Sequence, residues 1–175
     1  MFVLRSMVGI AILTLATTGN AHFSQAKEVK IDALIEAMQS RDTVRARTIL
    51  NSGVDLDASD HFGRTALKEA IRNHLPTVAL EIIDKGANVN LIPVRQFSPL
   101  MSAAWYCEGG VLNSLIDHGA MLDARDEDGA TALIYGSSNC KGGRVVRDLL
   151  RAGANPSAAI KNGYTGLIAA AESGK

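Results

Sequence analysis

The sequence predicts an all-α solenoid of about four helix-turn-helix units and a partial fifth, with short β-turn fingers between the units. Two series of residues recur with one period: glycines that can end a helix, and hydroxyl or carboxyl residues that can begin one. The glycines are Gly53, Gly86, Gly119 and Gly153, and the second series is Asp32, Thr65, Ser98, Thr131 and Thr165. Successive members lie 33 or 34 residues apart, and a period of this length is typical of stacked repeats.

Each member of the second series is predicted to begin the first helix of a unit. A side-chain oxygen at this position can accept hydrogen bonds from the free amides of the first helical turn. Pro99 directly follows Ser98, where a missing amide costs little. Short apolar segments follow these starts, among them Leu100–Ala104 and Leu167–Ala171. Many of their residues are alanine, so we expect the first helices to approach one another closely.

A second helix is predicted in each of the first four units. Branched and leucine residues recur there at three- and four-residue spacing, in Val44–Leu50, Thr77–Ile83, Val111–Ile116 and Val145–Leu150. Each segment stops at the glycine series, whose members can take the left-handed conformation that ends a helix. One helix pair cannot bury its apolar face alone, so the units are expected to stack around a continuous core.

These motifs resemble the ankyrin repeat, whose pattern is Asp-x-x-Gly-x-Thr-Pro-Leu-His-x-Ala followed by a second helix that ends Leu-Leu-x-x-Gly-Ala. The matching segments are Asp60–Ala70 with Gly86–Asn90, Ser98–Leu100 with Gly119–Ala120, and Asp126–Leu133 with Leu149–Pro156. The resemblance covers residues 27–175, with units at about 27–59, 60–92, 93–125 and 126–159 and a partial unit at 160–175. It implies a concave surface, formed by turn tips and first helices, that binds another macromolecule.

The chain departs from the family pattern at several points. Lys68, Met101 and Ile134 stand where the family has a helix-one histidine, so the hydrogen bonds that this histidine makes are predicted to be missing. Gln96 replaces a usual turn glycine, and unit four has one extra residue around Lys141–Gly143. The partial fifth unit lacks a second helix, which leaves part of the apolar side of unit four exposed unless something covers it.

The first 26 residues are predicted to be a cleavable secretory signal peptide. Arg5 precedes an uncharged apolar run from Met7 to Ala16, and small residues lead to a cleavage point after Ala26. The run is shorter than the roughly 20 residues that span a membrane. The mature protein is therefore expected in the periplasm or outside the cell, without a membrane anchor.

Charge and motifs argue against several functional classes. Eighteen basic residues balance 18 acidic ones, so no excess charge favours nucleic acid or an anionic membrane surface. The sequence contains no His-Glu-x-x-His motif, paired-cysteine motif or nucleophile elbow. We therefore predict a monomeric, non-enzymatic protein with no catalytic residues, cofactor or metal site, and with another protein as its partner.

The two cysteines leave two alternatives open. Cys107 and Cys140 lie nine residues after Ser98 and Thr131, and export would favour a disulfide between them. Equivalent points of packed neighbouring helices are about 8–10 Å apart, however, which exceeds the usual Cα separation of a disulfide. This geometry favours two small buried thiols, although the flanking glycine pairs could let the loops approach.

The predicted partner-binding residues fall on turn tips and first helices. They are His61, Phe62, Arg64, Arg72, Arg95, Phe97, Trp105, Tyr106, Asp128, Asn139 and Tyr164. Aromatic residues make up only 5% of the chain, and aromatics and arginines most often anchor interfaces. The alternative for Trp105 and Tyr106 is that they pack between units.

Three functional hypotheses follow. The first is a protein-binding module in the periplasm or outside the cell, such as an inhibitor or immunity-type partner of an enzyme. The second is an envelope-stress or structural accessory that binds cell-wall material. The third is an enzyme, which hydrolysis lost on changing one acidic residue would support, and a secreted factor that acts on a host cell is a further alternative.

Overall fold

The computed structural model describes residues 30–92 and 97–172, and within these ranges the regular structure is helical. The helices are α1 (30–39), α2 (Thr43–Asn51), α3 (Ala66–Arg72), α4 (Pro76–Asp84), α5 (Pro99–Trp105), α6 (Gly109–Asp117), α7 (Ala132–Asn139), α8 (Arg144–Ala152) and α9 (Gly166–Glu172), with a 3₁₀ turn at Lys141–Gly143. Two isolated antiparallel bridges, Ser59 with Thr65 and Ala159 with Thr165, mark the fingers. The predicted all-α fold is confirmed. The predicted signal peptide and Gln96 lie outside the described residues.

The first helices begin where the sequence predicts in every unit except the first. Thr65, Ser98 and Thr131 are the N-caps of α3, α5 and α7, and α9 begins directly after Thr165. Asp32 is not a cap, because residues 30 and 31 are already helical. The buried face of α1 explains the difference, since it includes Ile31 and continues at helical spacing through residues 34, 35 and 38.

The cap hydrogen bonds are less uniform than predicted. The Ser98 hydroxyl accepts from the Met101 amide at 3.1 Å, and the Thr165 hydroxyl accepts from the Ile168 amide at 3.4 Å. The side chains of Thr65 and Thr131 make no such cap bond. Thr131 Oγ1 is the one buried side-chain oxygen or nitrogen of residues 30–92 and 97–172 without a hydrogen-bond partner. Ile134 stands where the family has a histidine, so no ring nitrogen is present there to bond this hydroxyl.

Thr131→Val is expected to leave the free energy of unfolding unchanged or to raise it by up to about 1 kcal/mol, because burying an unpaired hydroxyl is unfavourable. Urea unfolding followed by circular dichroism would measure the change. Ser98→Ala is the matched control, because its hydroxyl does cap a helix and its removal should cost about 1 kcal/mol. A loss above about 1 kcal/mol for Thr131→Val would show that its hydroxyl has a stabilising partner.

The second helices end at the glycine series, as predicted. Gly53, Gly86, Gly119 and Gly153 have φ angles of 75°, 88°, 82° and 101°, in the left-handed region that glycine adopts without penalty. A ladder of side-chain hydrogen bonds then ties each turn to the next unit. The side-chain oxygens of Asp57, Asn90 and Asp123 accept from the amides of Asn88, Met121 and Asn155 at 2.8, 2.8 and 2.9 Å.

Small residues let the first helices α5 and α7 pack closely. Ala103 and Ala104 are fully buried on α5, and Gly136 lies opposite on α7. A Cβ atom built on Gly136 would lie 2.9 Å from Val145 Cγ1 and 3.8 Å from Ala104 Cβ. Gly136 and Ala104 therefore meet at van der Waals distance where α5 contacts α7, and the tighter approach is to Val145 of α8.

The two cysteines form a disulfide, so the geometric argument for separate thiols is wrong. The Cα atoms of Cys107 and Cys140 are 5.4 Å apart, within the disulfide range. The two positions are equivalent in the sequence but not in backbone conformation. Cys107 is left-handed with φ 61°, as are the equivalent residues Arg41 and His74. Cys140 is instead extended, and Gly143 supplies the left-handed residue before α8. The extra residue of unit four therefore shifts Cys140 out of register and towards Cys107.

The apolar face at the α9 end of the described residues is exposed. Leu67, Leu100 and Leu133 occupy the second helical position of α3, α5 and α7 and are buried. Leu167 has the same position in α9 but is 77% exposed, and Ile168 and Leu150 are exposed as well. No described helix packs on the outer side of α9, which explains why an apolar segment of the repeat pattern is not core here.

Candidate partner-binding site

The concave side of the solenoid carries a cleft of about 580 Å³. Helices α3, α5 and α7 and the turns before them supply its walls, because each unit places a turn tip and a first helix on this side. The lining residues are Phe62, Gly63, Arg64, Lys68, Glu69, Arg72, Phe97, Ser102, Trp105, Tyr106, Asp126, Glu127, Asp128 and Tyr135. Unit two thus contributes the basic side chains, unit three most of the aromatic ones and unit four an acidic turn.

Three aromatic rings form the centre of the cleft. The Tyr135 ring makes edge contacts with Trp105 and with Phe97, at centroid distances of 5.3 and 5.1 Å. This geometry matches the preferred edge-to-face arrangement of aromatic pairs. Trp105 nevertheless remains 45% exposed. It does not simply pack between units, and its ring is open to a ligand.

Tyr135 is held in place by the acidic turn. Its hydroxyl donates a hydrogen bond to Asp126 Oδ2. Burial raises the pKa of Tyr135, and the hydrogen bond to Asp126 and the charges of Asp126 and Asp128 raise it further. The phenol therefore stays protonated and keeps donating to Asp126 at neutral pH.

The acidic edge of the cleft has two carboxylates directed to solvent. The Asp126 carboxylate is already hydrogen-bonded within the chain, since its Oδ1 accepts from the amides of Asp128 and Ala130 at 3.0 and 2.8 Å. Glu127 and Asp128 are exposed and form no ion pair with any described residue. The guanidinium of Arg125 donates to the Ala159 carbonyl at 3.2 Å instead. A ligand at this edge meets negative charge that the fold has not neutralised.

The basic edge is largely paired within the chain. Arg64 Nε and Nη2 lie 2.7 and 2.6 Å from Asp60 Oδ2, and its guanidinium carbon lies 4.8 Å from the centroid of the Phe62 ring. Burial would raise the pKa of Asp60, but the hydrogen bonds from Arg64 and Phe62 and the charge of Arg64 lower it overall. Asp60 is therefore ionised, and both of its oxygens accept hydrogen bonds. Its negative charge balances that of Arg64, so Arg64 attracts a ligand less strongly.

Helix α3 adds Lys68, Glu69 and Arg72. Glu69 is buried, accepts from Asn73 Nδ2 at 3.0 Å and from Gln39 Nε2 at 3.2 Å, and lies 3.9 Å from Arg72 Nη1. Burial lowers the pKa of Lys68, and the charge of Glu69 opposes this shift. Lys68 is thus half-buried, whereas Arg72 is exposed and only loosely paired with Glu69.

The structure brings most of the predicted partner-binding residues together. Seven line the cleft: Phe62, Arg64, Arg72, Phe97, Trp105, Tyr106 and Asp128. His61 lines a smaller adjoining cavity with Asp32 and Glu36. Asn139 and Tyr164 do not line the cleft, and the Tyr164 hydroxyl instead donates to Glu172 at 2.7 Å. Arg95 lies outside the described residues.

Tyr135 is the main residue that the sequence prediction missed. It lies four residues after Thr131, at the position that Glu69 and Ser102 occupy in the preceding units. This position shares a helix face with the one that holds Trp105. Repeat register alone could therefore have placed Tyr135 in the cleft.

One cluster of metal-ligating side chains adjoins the smaller cavity. Ligand atoms of Asp32, Asp60 and His61 lie within 4.8 Å of one another. Both oxygens of Asp60 are already engaged by Arg64 and by backbone amides. A cation there would face the guanidinium of Arg64, so we assign no metal to this cluster.

Several known proteins have sequences similar to this chain. Ankyrin repeat and SOCS box protein 6 of Homo sapiens is 30% identical over 164 residues, which cover 89% of this chain and 39% of that protein. The mitochondrial disaggregase of Bos taurus is 29% identical, over 95% of this chain and 25% of that protein. Putative ankyrin repeat protein FPV034 of Fowlpox virus is 23% identical, over 83% of this chain and 34% of that protein. The chain spans well under half the length of these relatives. No protein-family model matches it.

The stacked units, their glycine stops and the open concave cleft define a helical repeat protein with a surface for contacts. The similar proteins identify the repeat, and the chain belongs to the ankyrin-repeat family. The similarity to ankyrin-repeat proteins supports the interpretation of the chain as a protein–protein interaction module. Among the described residues, none of the helices has the length and apolar character needed to cross a membrane.

Proposed function

We propose that this chain is an exported, non-enzymatic module that binds another protein through the concave cleft. The observation that carries the proposal is the exposed ring of Trp105, which lies in the cleft between charged side chains from two other units. Tryptophan is among the residues that most often dominate interface energetics. A cleft of this composition suits a protein surface that supplies its own apolar and charged groups.

Two features support export. The N-terminal segment has the pattern of a signal peptide, and Cys107 and Cys140 are joined as a disulfide. Disulfides persist mainly in oxidising compartments such as the periplasm and the cell exterior. A protein that binds an enzyme without catalysing a reaction can inhibit it by covering part of its surface. We therefore favour an inhibitor or immunity-type partner of an enzyme in the same compartment.

The proposal is tested by expressing the full chain with a C-terminal tag in the organism that encodes it. After a salt wash, mass spectrometry would identify the proteins retained from the periplasm and the medium. We expect one protein in near-equal amount, and its loss with Trp105→Ala. N-terminal sequencing of the same sample should start at Lys27 if the predicted signal peptide is removed.

Met121→Ala is the matched control, since Met121 is exposed but lies outside the cleft. It should retain the partner as the unmodified chain does. Retention of the same proteins by Trp105→Ala and the unmodified chain would contradict binding through the cleft. A tagged product that stays uncleaved in the cytoplasm would contradict export without affecting the binding proposal.

A further inference from the structure

The cleft has one aromatic group with a cation above it and one without. Arg64 already lies over Phe62 within unit two. In the described ranges, no cationic side chain lies over Trp105, Tyr135 or Phe97. Trp105 is 45% exposed, so a cation from outside the chain can approach its ring.

Acidic groups of unit four reach this aromatic centre through Tyr135. Asp126 is bonded to Tyr135, which contacts Trp105 and Phe97, so the acidic turn adjoins the three rings. Glu127 and Asp128 line the same cleft with unpaired carboxylates. A cation at this end would be attracted by the aromatic rings and by two carboxylates, whereas the same carboxylates would repel an anion.

We propose that the acidic aromatic end of the cleft binds an arginine side chain of the partner protein, and this inference rests on the proposed function. A guanidinium is planar, stacks on aromatic rings and bonds carboxylates in a bidentate manner, and it is less strongly hydrated than an ammonium group. It can therefore stack on Trp105 while it pairs with Asp128 or Glu127. The opposite edge does not compete for it, since Arg64, Lys68 and Arg72 line that side.

Trp105 is the only tryptophan of the chain, so its fluorescence reports on this end of the cleft directly. The probes are acetylated and amidated Gly-Gly-Arg-Gly-Gly peptides and the same peptides with citrulline or glutamate in place of arginine. At low salt, we expect the arginine peptide to change the fluorescence saturably, with an affinity in the millimolar range. Citrulline has almost the same shape without the charge and should bind about tenfold more weakly.

Combining Glu127→Gln with Asp128→Asn should lower the affinity for the arginine peptide by about tenfold, since two carboxylates are neutralised. Combining Asp84→Asn with Asp117→Asn is the matched control, because it removes the same charge from exposed ends of α4 and α6. This control should leave the affinity unchanged. Equal responses to arginine and citrulline, tighter binding of the glutamate peptide, or an unchanged affinity after Glu127→Gln with Asp128→Asn would each overturn the proposal.

The captured partner separates this inference from the proposed function. If Trp105→Ala and the combined Glu127→Gln and Asp128→Asn variant each fail to retain the partner, the binding module and the arginine contact are both supported. Loss with Trp105→Ala alone leaves the binding module intact and overturns the arginine contact.

Discussion

Removal of the Cys107–Cys140 disulfide is expected to lower the free energy of unfolding by about 3–4 kcal/mol, the chain-entropy value for a loop of this length. The bond closes a loop with a sequence separation of 33 residues, and it joins unit three to unit four. Without it, the unfolded chain gains conformational freedom while the helices of the native state keep their packing. Combining Cys107→Ser with Cys140→Ala tests this, because Cys107 is exposed and Cys140 is buried among apolar groups.

Urea unfolding with and without dithiothreitol measures the effect. The reductant should destabilise the unmodified chain by about as much as the double substitution does, and it should have no effect on the variant. A loss below about 1 kcal/mol in both experiments would contradict a stabilising role for the bond.

Leu100→Ala is expected to lower the free energy of unfolding by about 2–5 kcal/mol, as truncation of a fully buried leucine side chain does. Leu100 is only 1% exposed, in helix α5 at the centre of the stack. Leu167→Ala is the matched control, since Leu167 has the same repeat position in α9 but is 77% exposed. Its effect should stay within about 0.5 kcal/mol.

Thermal or urea unfolding of the two variants gives the comparison directly. If Leu167→Ala were as destabilising as Leu100→Ala, the outer side of α9 would have to be covered by a group outside the described residues or by another molecule. If both changes were harmless, the repeat core would not be the main source of stability.

The repeat architecture followed from the sequence because its signals are local and recur. Glycine at a helix end, a cap residue before a helix and apolar residues at helical spacing each act within a few residues. Their recurrence at 33 or 34 residues then sets the register of the whole stack. The same register predicted seven of the cleft residues, because repeated turns and first helices place side chains on one side.

The disulfide and the aromatic centre depended on tertiary packing. Cys107 and Cys140 have equivalent sequence positions, and equivalence alone predicts Cα atoms too far apart for a bond. One extra residue in unit four gives Cys140 an extended backbone and brings the two Cα atoms to 5.4 Å. The contacts of Tyr135 with Trp105 and Phe97 likewise join neighbouring units and cannot be inferred from any single repeat, whereas its bond to Asp126 lies within unit four.

The sequence by itself therefore determined the fold class, the glycine stops of the second helices and the side of the solenoid that carries the candidate site. Only the tertiary structure decided which of those side chains remain free. Arg64 forms an ion pair with Asp60, and Asp126 accepts a hydrogen bond from Tyr135. Trp105, Glu127 and Asp128 are instead exposed and accessible to a ligand. The physical reason is that helix and turn signals act along the chain, over a few residues. The pairing of Arg64 and Asp126 depends on how each turn folds onto itself, and the burial of the aromatic rings depends on the neighbouring unit.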